Sequence, residues 1–197
     1  MLTLPNFLTL LRIVAVPAFL ILLTTQRYSE ALVLFLAASV TDGIDGAIAR
    51  ACNTKSAIGA SLDPLADKLL VVSSFLGLSW LGVIPAWLLI LVITRDVVIL
   101  VGYLALYFLG MPMEISPTQI SKANTFLERL TIGFALLTVA RPELPMGEIN
   151  RVVWYATATT TAASGLHYVY KGLLWVQRYG DAKPPGEGQD TPMKMGG

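Results

Sequence analysis

The chain alternates between long apolar stretches and short polar connectors. The apolar stretches run over 7–25, 31–49, 66–81, 85–109, 126–140 and 152–175. At 15 to 25 residues each, they are close to the roughly 20 residues that a helix needs to cross a hydrocarbon layer of about 30 Å. The connectors are too short to hold a further domain. The pattern therefore predicts an all-α integral membrane protein, folded as one bundle of six transmembrane helices.

Composition supports a membrane protein over a soluble one. Of 197 residues, 55% are hydrophobic and only 14% are charged, whereas soluble domains carry about 25% charged residues. The 14 Lys and Arg nearly balance the 13 Asp and Glu, which leaves no electrostatic footprint for nucleic acid. The single cysteine, Cys52, excludes an internal disulfide or a CxxC metal site. The first residues lack a basic segment before the apolar run, so no removable signal peptide is expected.

The two ends of the predicted bundle differ in basic residues. With a cytoplasmic amino terminus, seven basic residues fall on the cytoplasmic side: Arg50, Lys55, Lys122, Lys171, Arg178, Lys183 and Lys194. The opposite side receives three: Arg27, Arg141 and Arg151. The positive-inside rule therefore favours a cytoplasmic amino terminus and second connector.

The carboxyl-terminal part of the chain has two compositional features. Small residues over 156–165 predict close helix packing within the sixth span. Residues 180–197 are rich in Gly, Pro, Lys and Asp, so we expect a disordered polar tail after a transmembrane domain over 1–179.

Four aspartates flank the second connector: Asp42, Asp45, Asp63 and Asp67. A carboxylate at the centre of a membrane helix costs about 2.5 to 3.5 kcal/mol, so we expect these groups to face the bundle interior and to have partners. Spacings of three and four place each pair on one face of its helix, and a short connector makes the two helices antiparallel neighbours. Four converging carboxylates repel unless cations lie between them, and oxygen ligands select Mg²⁺ or Mn²⁺.

Small residues and one arginine accompany the aspartates. Gly46, Ala49 and Gly59 keep the helices thin where a bulky ligand would approach the backbone. Arg50, at the predicted membrane edge, is a bidentate donor suited to a phosphate. A hard-metal cluster beside a guanidinium indicates a diphosphate ligand and phosphoryl-transfer chemistry.

Each of these residues also has a simpler explanation. Asp63 followed by Pro64 is a good N-cap and first-turn pair for a helix. Asp42 or Asp45 alone could be a buried polar residue paired with Arg50, and glycines in membrane helices commonly serve packing. These explanations account for the residues singly but give no reason for the whole set in register.

Taken together, these residues resemble a known family. The chain matches the pattern DxxDGxxAR(x8)GxxxDxxxD of the CDP-alcohol phosphatidyltransferases at Asp42, Asp45, Gly46, Ala49, Arg50, Gly59, Asp63 and Asp67. The likeness extends over most of the chain apart from the tail. It implies six transmembrane helices, usually homodimeric, with an active site at the cytoplasmic interface. There a CDP-linked lipid such as CDP-diacylglycerol loses CMP as an acceptor hydroxyl attacks its β-phosphorus.

The resemblance also implies roles for single residues. Asp42, Asp45 and Asp63 would hold two divalent ions, Mg²⁺ or Mn²⁺. Asp67 would be both a metal ligand and the general base. The CDP site would be lined by Asp42, Gly46, Ala49, Arg50, Gly59 and Asp63.

The acceptor is suggested by other segments. The opening LPNFLTLLR (4–12) and GASLDPLADK (59–68) resemble the branch that contains phosphatidylglycerophosphate synthases and CMP-forming cardiolipin synthases. TRDV (94–97) and PTQISKANT (117–125) look more like the cardiolipin synthases. Glycerol 3-phosphate needs several cations, whereas Arg95 is opposed by Asp96. This favours phosphatidylglycerol as acceptor, with glycerol 3-phosphate as the alternative.

Four basic residues are candidates for contacts with lipid phosphates or the acceptor: Arg12, Lys68, Arg95 and Lys122. Arg12 and Lys122 could instead snorkel to the membrane interface. Lys68 could pair with the carboxylates, and Arg95 is better explained as a structural partner of Asp96.

Two other classes of protein also place aspartates in membranes. An ion-coupled transporter could use them to bind ions, but it would not need an arginine and glycines in this register. A membrane prenyltransferase binds a diphosphate through Mg²⁺ and aspartate pairs, but its two motifs lie on helices far apart in a longer chain.

Overall fold

The computed structural model describes the backbone over 4–52, 57–111 and 118–182, and the side chains over 11–41, 66–111 and 118–178. The described backbone forms six helices and no strand. They are α1 (Leu4–Thr24), α2 (Tyr28–Cys52), α3 (Ala57–Trp80), α4 (Ala86–Phe108), α5 (Gln119–Ala140) and α6 (Gly147–Ala182). The all-helical prediction with six elements is therefore confirmed.

The start of α3 differs from the simpler explanation of Asp63. The helix begins at Ala57, so Asp63 and Pro64 lie inside it rather than at its first turn. Asp63 consequently does not cap α3, and the N-cap explanation is wrong. The apolar pattern began at Ala66 because the polar and small residues before it obscured two further helical turns.

Glycines in the left-handed conformation follow the ends of α3 and α4. After α3, Gly82 has a φ of 73° and the Val83 amide donates to the Leu78 carbonyl at 2.9 Å. After α4, Gly110 has a φ of 70° and the next amide donates to the Leu106 carbonyl at 2.9 Å. Glycine adopts this conformation without steric cost, and these bonds satisfy the last carbonyls of each helix. The turn at Gly82 lets α4 begin at Ala86, after a connector of five residues.

The sixth helix is longer than its apolar pattern. It continues to Ala182, so Gly180, Asp181 and Ala182 belong to α6 and not to a disordered tail. The first helix breaker after it is Pro184, and a single internal glycine costs only about 1 kcal/mol. The predicted tail over 183–197 lies outside the described residues.

The chain divides into two compact units. The first comprises Met1–Leu89 and Leu127–Tyr155. In it α1 packs on both α2 and α3. The rings of Phe19 and Phe35 lie 6.2 Å apart, and a Cβ added at Gly77 would come within 2.7 Å of Leu23 Cδ1. A larger residue at position 77 would therefore force the Leu23 side chain to shift where α1 and α3 meet.

The second unit comprises Ile90–Phe126 and Ala156–Gly197, and its described interior contains many polar groups. Its buried polar residues are Asn124, Thr157, Thr161 and Ser164. Thr160 and Thr161 donate hydrogen bonds to Asn124 Oδ1 at 3.0 and 2.8 Å. Thr157, Thr161 and Ser164 follow helical spacing on one buried face of α6, which confirms that the small-residue run serves helix packing.

One of the described helices is long and apolar enough to cross a membrane. It is α4, Ala86–Phe108, and only 11% of its apolar segment is buried inside the protein. Shorter apolar helical segments are Leu11–Thr24 and Tyr28–Thr41. A core helix of a soluble protein would be mostly buried, whereas α4 exposes Val97, Leu100 and Leu104. The remaining predicted spans stay predictions.

Candidate functional site

The predicted motif lies on α2 and α3. Asp42 and Asp45 are in the last turns of α2, and Asp63 and Asp67 are in α3. Of the motif side chains, the described part of the structure contains that of Asp67. The others lie outside it: Asp42, Asp45, Gly46, Ala49, Arg50, Gly59 and Asp63. The convergence of the four carboxylates therefore stays a prediction.

Asp67 is held by an arginine of another helix. Arg129 Nη2, on α5, lies 2.7 Å from Asp67 Oδ1. The side chains of Asp67 and Arg129 are 22% and 25% exposed, so the pair is only partly shielded from solvent. Ala66, directly before Asp67, is completely buried. Asp67 thus lies at the edge of the core, where a charge-assisted hydrogen bond fixes one of its two oxygens.

The next residue of α3 makes a second ion pair with α5. Lys68 Nζ lies 3.8 Å from Glu128 Oε2. Glu128 is 1% exposed and Lys68 is 34% exposed, so the lysine reaches inward to a buried carboxylate. Lys68 thus pairs with a carboxylate that does not belong to the motif. A buried charge is tolerated when it is paired in this way.

We call Asp67, Lys68, Glu128 and Arg129 the charge quartet. Two adjacent residues of α3 pair with two adjacent residues of α5. The sequence interpretation did not single out Glu128 and Arg129. Their positions in the sequence could have indicated them. Both lie inside the predicted apolar span 126–140, where a charged side chain is costly and usually has a partner or a function.

Arg12 of α1 has a buried side chain, 4% exposed. It therefore does not snorkel outward. It borders a cavity of about 310 Å³ between α1 and α2. The other lining residues are Leu11, Val14, Ala15, Ala18, Leu34, Ala37, Ala38 and Thr41. Among the described lining residues, Arg12 is the one with a charged side chain, and most of the others are apolar.

Arg95 of α4 is engaged within the second unit. Its Nη1 lies 3.1 Å from Asp96 Oδ1, and its Nη2 donates to Ser121 Oγ and Ser164 Oγ, both at 2.8 Å. Its guanidinium carbon lies 5.8 Å from the centre of the Tyr168 ring. We call these five residues the Arg95 cluster. The predicted pairing of Arg95 with Asp96 is therefore observed, and its structural role stays a prediction.

Lys122, the other candidate on α5, is exposed. It belongs to the first turn of α5, next to Ser121 of the Arg95 cluster. An exposed ammonium on a long flexible side chain is compatible with either snorkelling or a phosphate contact.

Acidic, histidine and cysteine side chains within the described part of the structure do not form any group of three or more that could hold a metal ion. Of the four predicted ligands, Asp67 alone can be tested. Its carboxylate is partly exposed and offers hard oxygen donors, of which Oδ1 is oriented by Arg129. Asp67 therefore fits a site for Mg²⁺ or Mn²⁺ in its chemistry.

Comparisons with known proteins agree with the motif. Residues 2–163 match the family model described as CDP-alcohol phosphatidyltransferase. A rat protein named cardiolipin synthase (CMP-forming) is 33% identical over 193 residues, which cover 89% of this chain and 63% of the rat protein. The chain thus spans less than two thirds of the length of that relative.

Two bacterial relatives are matched over more of their length. A probable phosphatidylglycerophosphate synthase of Mycobacterium tuberculosis is 36% identical over 176 residues, 86% of this chain and 81% of that protein. A Bacillus subtilis protein named CDP-diacylglycerol–glycerol-3-phosphate 3-phosphatidyltransferase is 30% identical over 186 residues, 87% of this chain and 95% of that protein. With the family model covering most of its length, the chain belongs to the CDP-alcohol phosphatidyltransferase family.

Proposed function

We propose that this protein transfers the phosphatidyl group of CDP-diacylglycerol to an acceptor hydroxyl and releases CMP. Family membership over residues 2–163 supports this reaction class. The single structural observation that carries the proposal is Asp67, a motif carboxylate oriented by Arg129 at 2.7 Å and still partly exposed. A carboxylate in that state can reach a substrate.

In the proposed reaction Asp67 acts as the general base. The acceptor oxygen forms a bond to the β-phosphorus, the bond from that phosphorus to the CMP oxygen breaks, and the hydroxyl proton moves to Asp67. Because Arg129 donates to Oδ1, the second oxygen of the carboxylate is the one presented for the proton. CMP leaves with the electron pair of the broken bond.

The proposed site holds two divalent ions, Mg²⁺ or Mn²⁺. Their ligands would be Asp42, Asp45, Asp63 and Asp67, and Gly46, Ala49, Arg50 and Gly59 would line the CDP site. The ions supply neutralisation of the charge that develops on the leaving CMP. Carboxylate-only coordination is the chemistry that favours these hard cations.

We propose that the protein is a multi-pass protein of a bacterial-type inner membrane and functions as a homodimer. Multi-pass insertion is supported by the exposed apolar side chains of α4 and by the apolar segments of α1 and α2. The basic-residue distribution supports a motif at the cytoplasmic interface.

The acceptor that we propose is phosphatidylglycerol, which gives cardiolipin. Its phosphate diester carries one charge, and the membrane already confines it beside the donor, so little electrostatic capture is needed. Glycerol 3-phosphate carries nearly two charges and needs several cations. Arg95 is already bonded to Asp96 and two hydroxyls, which removes one candidate cation.

Glycerol 3-phosphate remains the second candidate acceptor. The Bacillus subtilis relative is named for transfer to glycerol 3-phosphate, and its similarity extends over 95% of its length. Exposed Lys122 is a cation that could serve such an acceptor.

The test is incubation of the purified protein with CDP-diacylglycerol and Mg²⁺, with each acceptor in a parallel reaction. CMP is measured by chromatography and the lipid products by thin-layer separation. We expect CMP release with cardiolipin formation from phosphatidylglycerol, and loss of both with excess EDTA.

Other outcomes have defined meanings. A phosphatidylglycerophosphate product without cardiolipin would reverse the acceptor assignment. Full activity in EDTA would contradict the two-metal site. Absence of CMP release with either acceptor would contradict the reaction class and favour a transporter, and pyrophosphate release from a prenyl diphosphate would favour a prenyltransferase.

A further inference from the structure

We infer that Arg129 is a positioning residue for Asp67, and that the Lys68–Glu128 pair anchors α3 against α5 so that this orientation is kept. The inference rests on the proposed function, because it assigns Asp67 a role in the reaction. It goes beyond the motif, which contains neither Glu128 nor Arg129.

The geometry of the charge quartet gives the first argument. Successive residues of a helix point about 100° apart around its axis. Asp67 and Lys68 therefore leave α3 in different directions, and each still reaches a partner on α5, Arg129 at 2.7 Å and Glu128 at 3.8 Å. Two contacts at different angles restrict both the rotation and the sliding of α3, whereas one pair restricts only a distance.

Burial separates the roles of the two pairs. Glu128 is 1% exposed, so removal of Lys68 would take an ion-pair partner away from a carboxylate in the core, which is destabilising. Asp67 and Arg129 are 22% and 25% exposed, so solvent screens their attraction more than it screens the charge of Glu128. The Lys68–Glu128 pair is thus suited to anchoring. The Asp67–Arg129 pair, at the more exposed edge, is suited to orienting the carboxylate.

The chemistry of arginine gives the third argument. A guanidinium donates in a fixed planar fork, so it orients a carboxylate in addition to balancing its charge. A lysine at position 129 would keep the charge but lose the planar geometry. Comparison of the two side chains at this position therefore separates orientation from charge alone.

The first experiment compares Arg129→Gln and Arg129→Lys with the wild type in the CMP-release assay. We expect kcat of Arg129→Gln to fall about 10- to 100-fold, the range for residues that hydrogen-bond to a metal ligand such as the one proposed at Asp67, with a smaller fall for Arg129→Lys. The KM for CDP-diacylglycerol and the midpoint of thermal unfolding should change little.

The matched control is Arg151→Gln. Arg151 Nη2 lies 2.8 Å from Glu148 Oε1 in an exposed pair within α6. It also forms an arginine–carboxylate pair, here within one helix and more exposed, and belongs to no part of the proposed site. We expect its kcat, KM and unfolding midpoint to match the wild type.

The second experiment is a double-mutant cycle on kcat with Asp67→Asn, Arg129→Gln and the double variant. If Arg129 acts through Asp67, the double variant should be no slower than Asp67→Asn alone, because the group to be oriented is already altered. If the fold-losses in kcat of the two single variants multiply in the double variant, Arg129 has a role independent of Asp67. That result would overturn the inference.

The third experiment tests the anchor without any activity measurement. Lys68→Glu and Glu128→Lys should each lower the midpoint of thermal unfolding in detergent, because each creates a like-charge pair. The double exchange should recover most of the loss. Absence of recovery would contradict the anchoring role.

The outcomes distinguish this inference from the proposed function. A wild-type protein that releases no CMP overturns the proposed function and with it the role of Arg129. A wild-type protein that releases CMP while Arg129→Gln keeps its full kcat overturns the positioning role alone.

Discussion

The charge quartet and the Arg95 cluster each contain an arginine paired with an aspartate, but the aspartate lies on another helix in the first and is the next residue in the second. In the quartet, Arg129 pairs with a carboxylate of another helix. In the Arg95 cluster, the arginine pairs with its own neighbour, Asp96, and its remaining contacts are two hydroxyls and an aromatic ring. Arg129 is 25% exposed and Arg95 is 10% exposed.

This difference indicates separate roles for the two arginines. In the Arg95 cluster a guanidinium links α4 to hydroxyls of α5 and α6, so it serves to hold helices together. In the quartet the partner of the arginine is a motif carboxylate that remains 22% exposed. An arginine in a predicted apolar span is therefore better interpreted from its partners and exposure than from its position in the sequence.

The largest expected effect is at Asp67. Asp67→Asn should lower kcat by about 10²- to 10⁴-fold, the range of general base catalysis, and should retain CDP-diacylglycerol binding better than turnover. Some loss of donor affinity is expected because Asp67 is also a proposed metal ligand. Steady-state kinetics and equilibrium binding of the donor measure the two quantities. If donor binding fell as far as turnover, Asp67 would lose its assignment as the base, and the quartet would resemble the Arg95 cluster as a structural element.

The fold was largely predictable from sequence, because long apolar runs and short connectors specify six helices without tertiary information. The helix ends were predicted less accurately than the helices themselves. The polar start of α3 and the glycine in the last turn of α6 do not follow the apolar pattern. The motif located Asp67 on α3. Its partner Arg129 was not predicted, because pairing between helices distant in sequence depends on their rotation, which a single sequence does not specify.

An intermediate effect is expected at Arg95. Arg95→Met would remove the donors to Ser121, Ser164 and Asp96, so the free energy of unfolding should fall by about 1.5 to 3 kcal/mol. Denaturant titration in detergent measures this loss. The conservative Arg95→Lys should lose less, because it keeps a charge beside Asp96.

The kinetics of the same variant sharpen the comparison. The Arg95→Met protein that remains folded should keep a near wild-type KM for phosphatidylglycerol. A raised acceptor KM without loss of stability would place Arg95 in the acceptor site and would remove the distinction between the two arginines.

The smallest expected effect is at Thr161, in the polar interior of the second unit. Thr161→Val removes one of the two hydroxyl donors to Asn124 Oδ1 and leaves that of Thr160 at 3.0 Å. The acceptor thus keeps a partner, and hydrogen bonds between membrane helices contribute only about 0.6 kcal/mol on average. We expect a loss of that size in denaturant titration, with unchanged CMP release. Thr159→Val, at an exposed position of the same helix, is the matched control and should lose less. A loss at Thr161 as large as that at Arg95 would mean that Thr160 cannot compensate, and the hydroxyls rather than the guanidinium would then be the main link between α5 and α6.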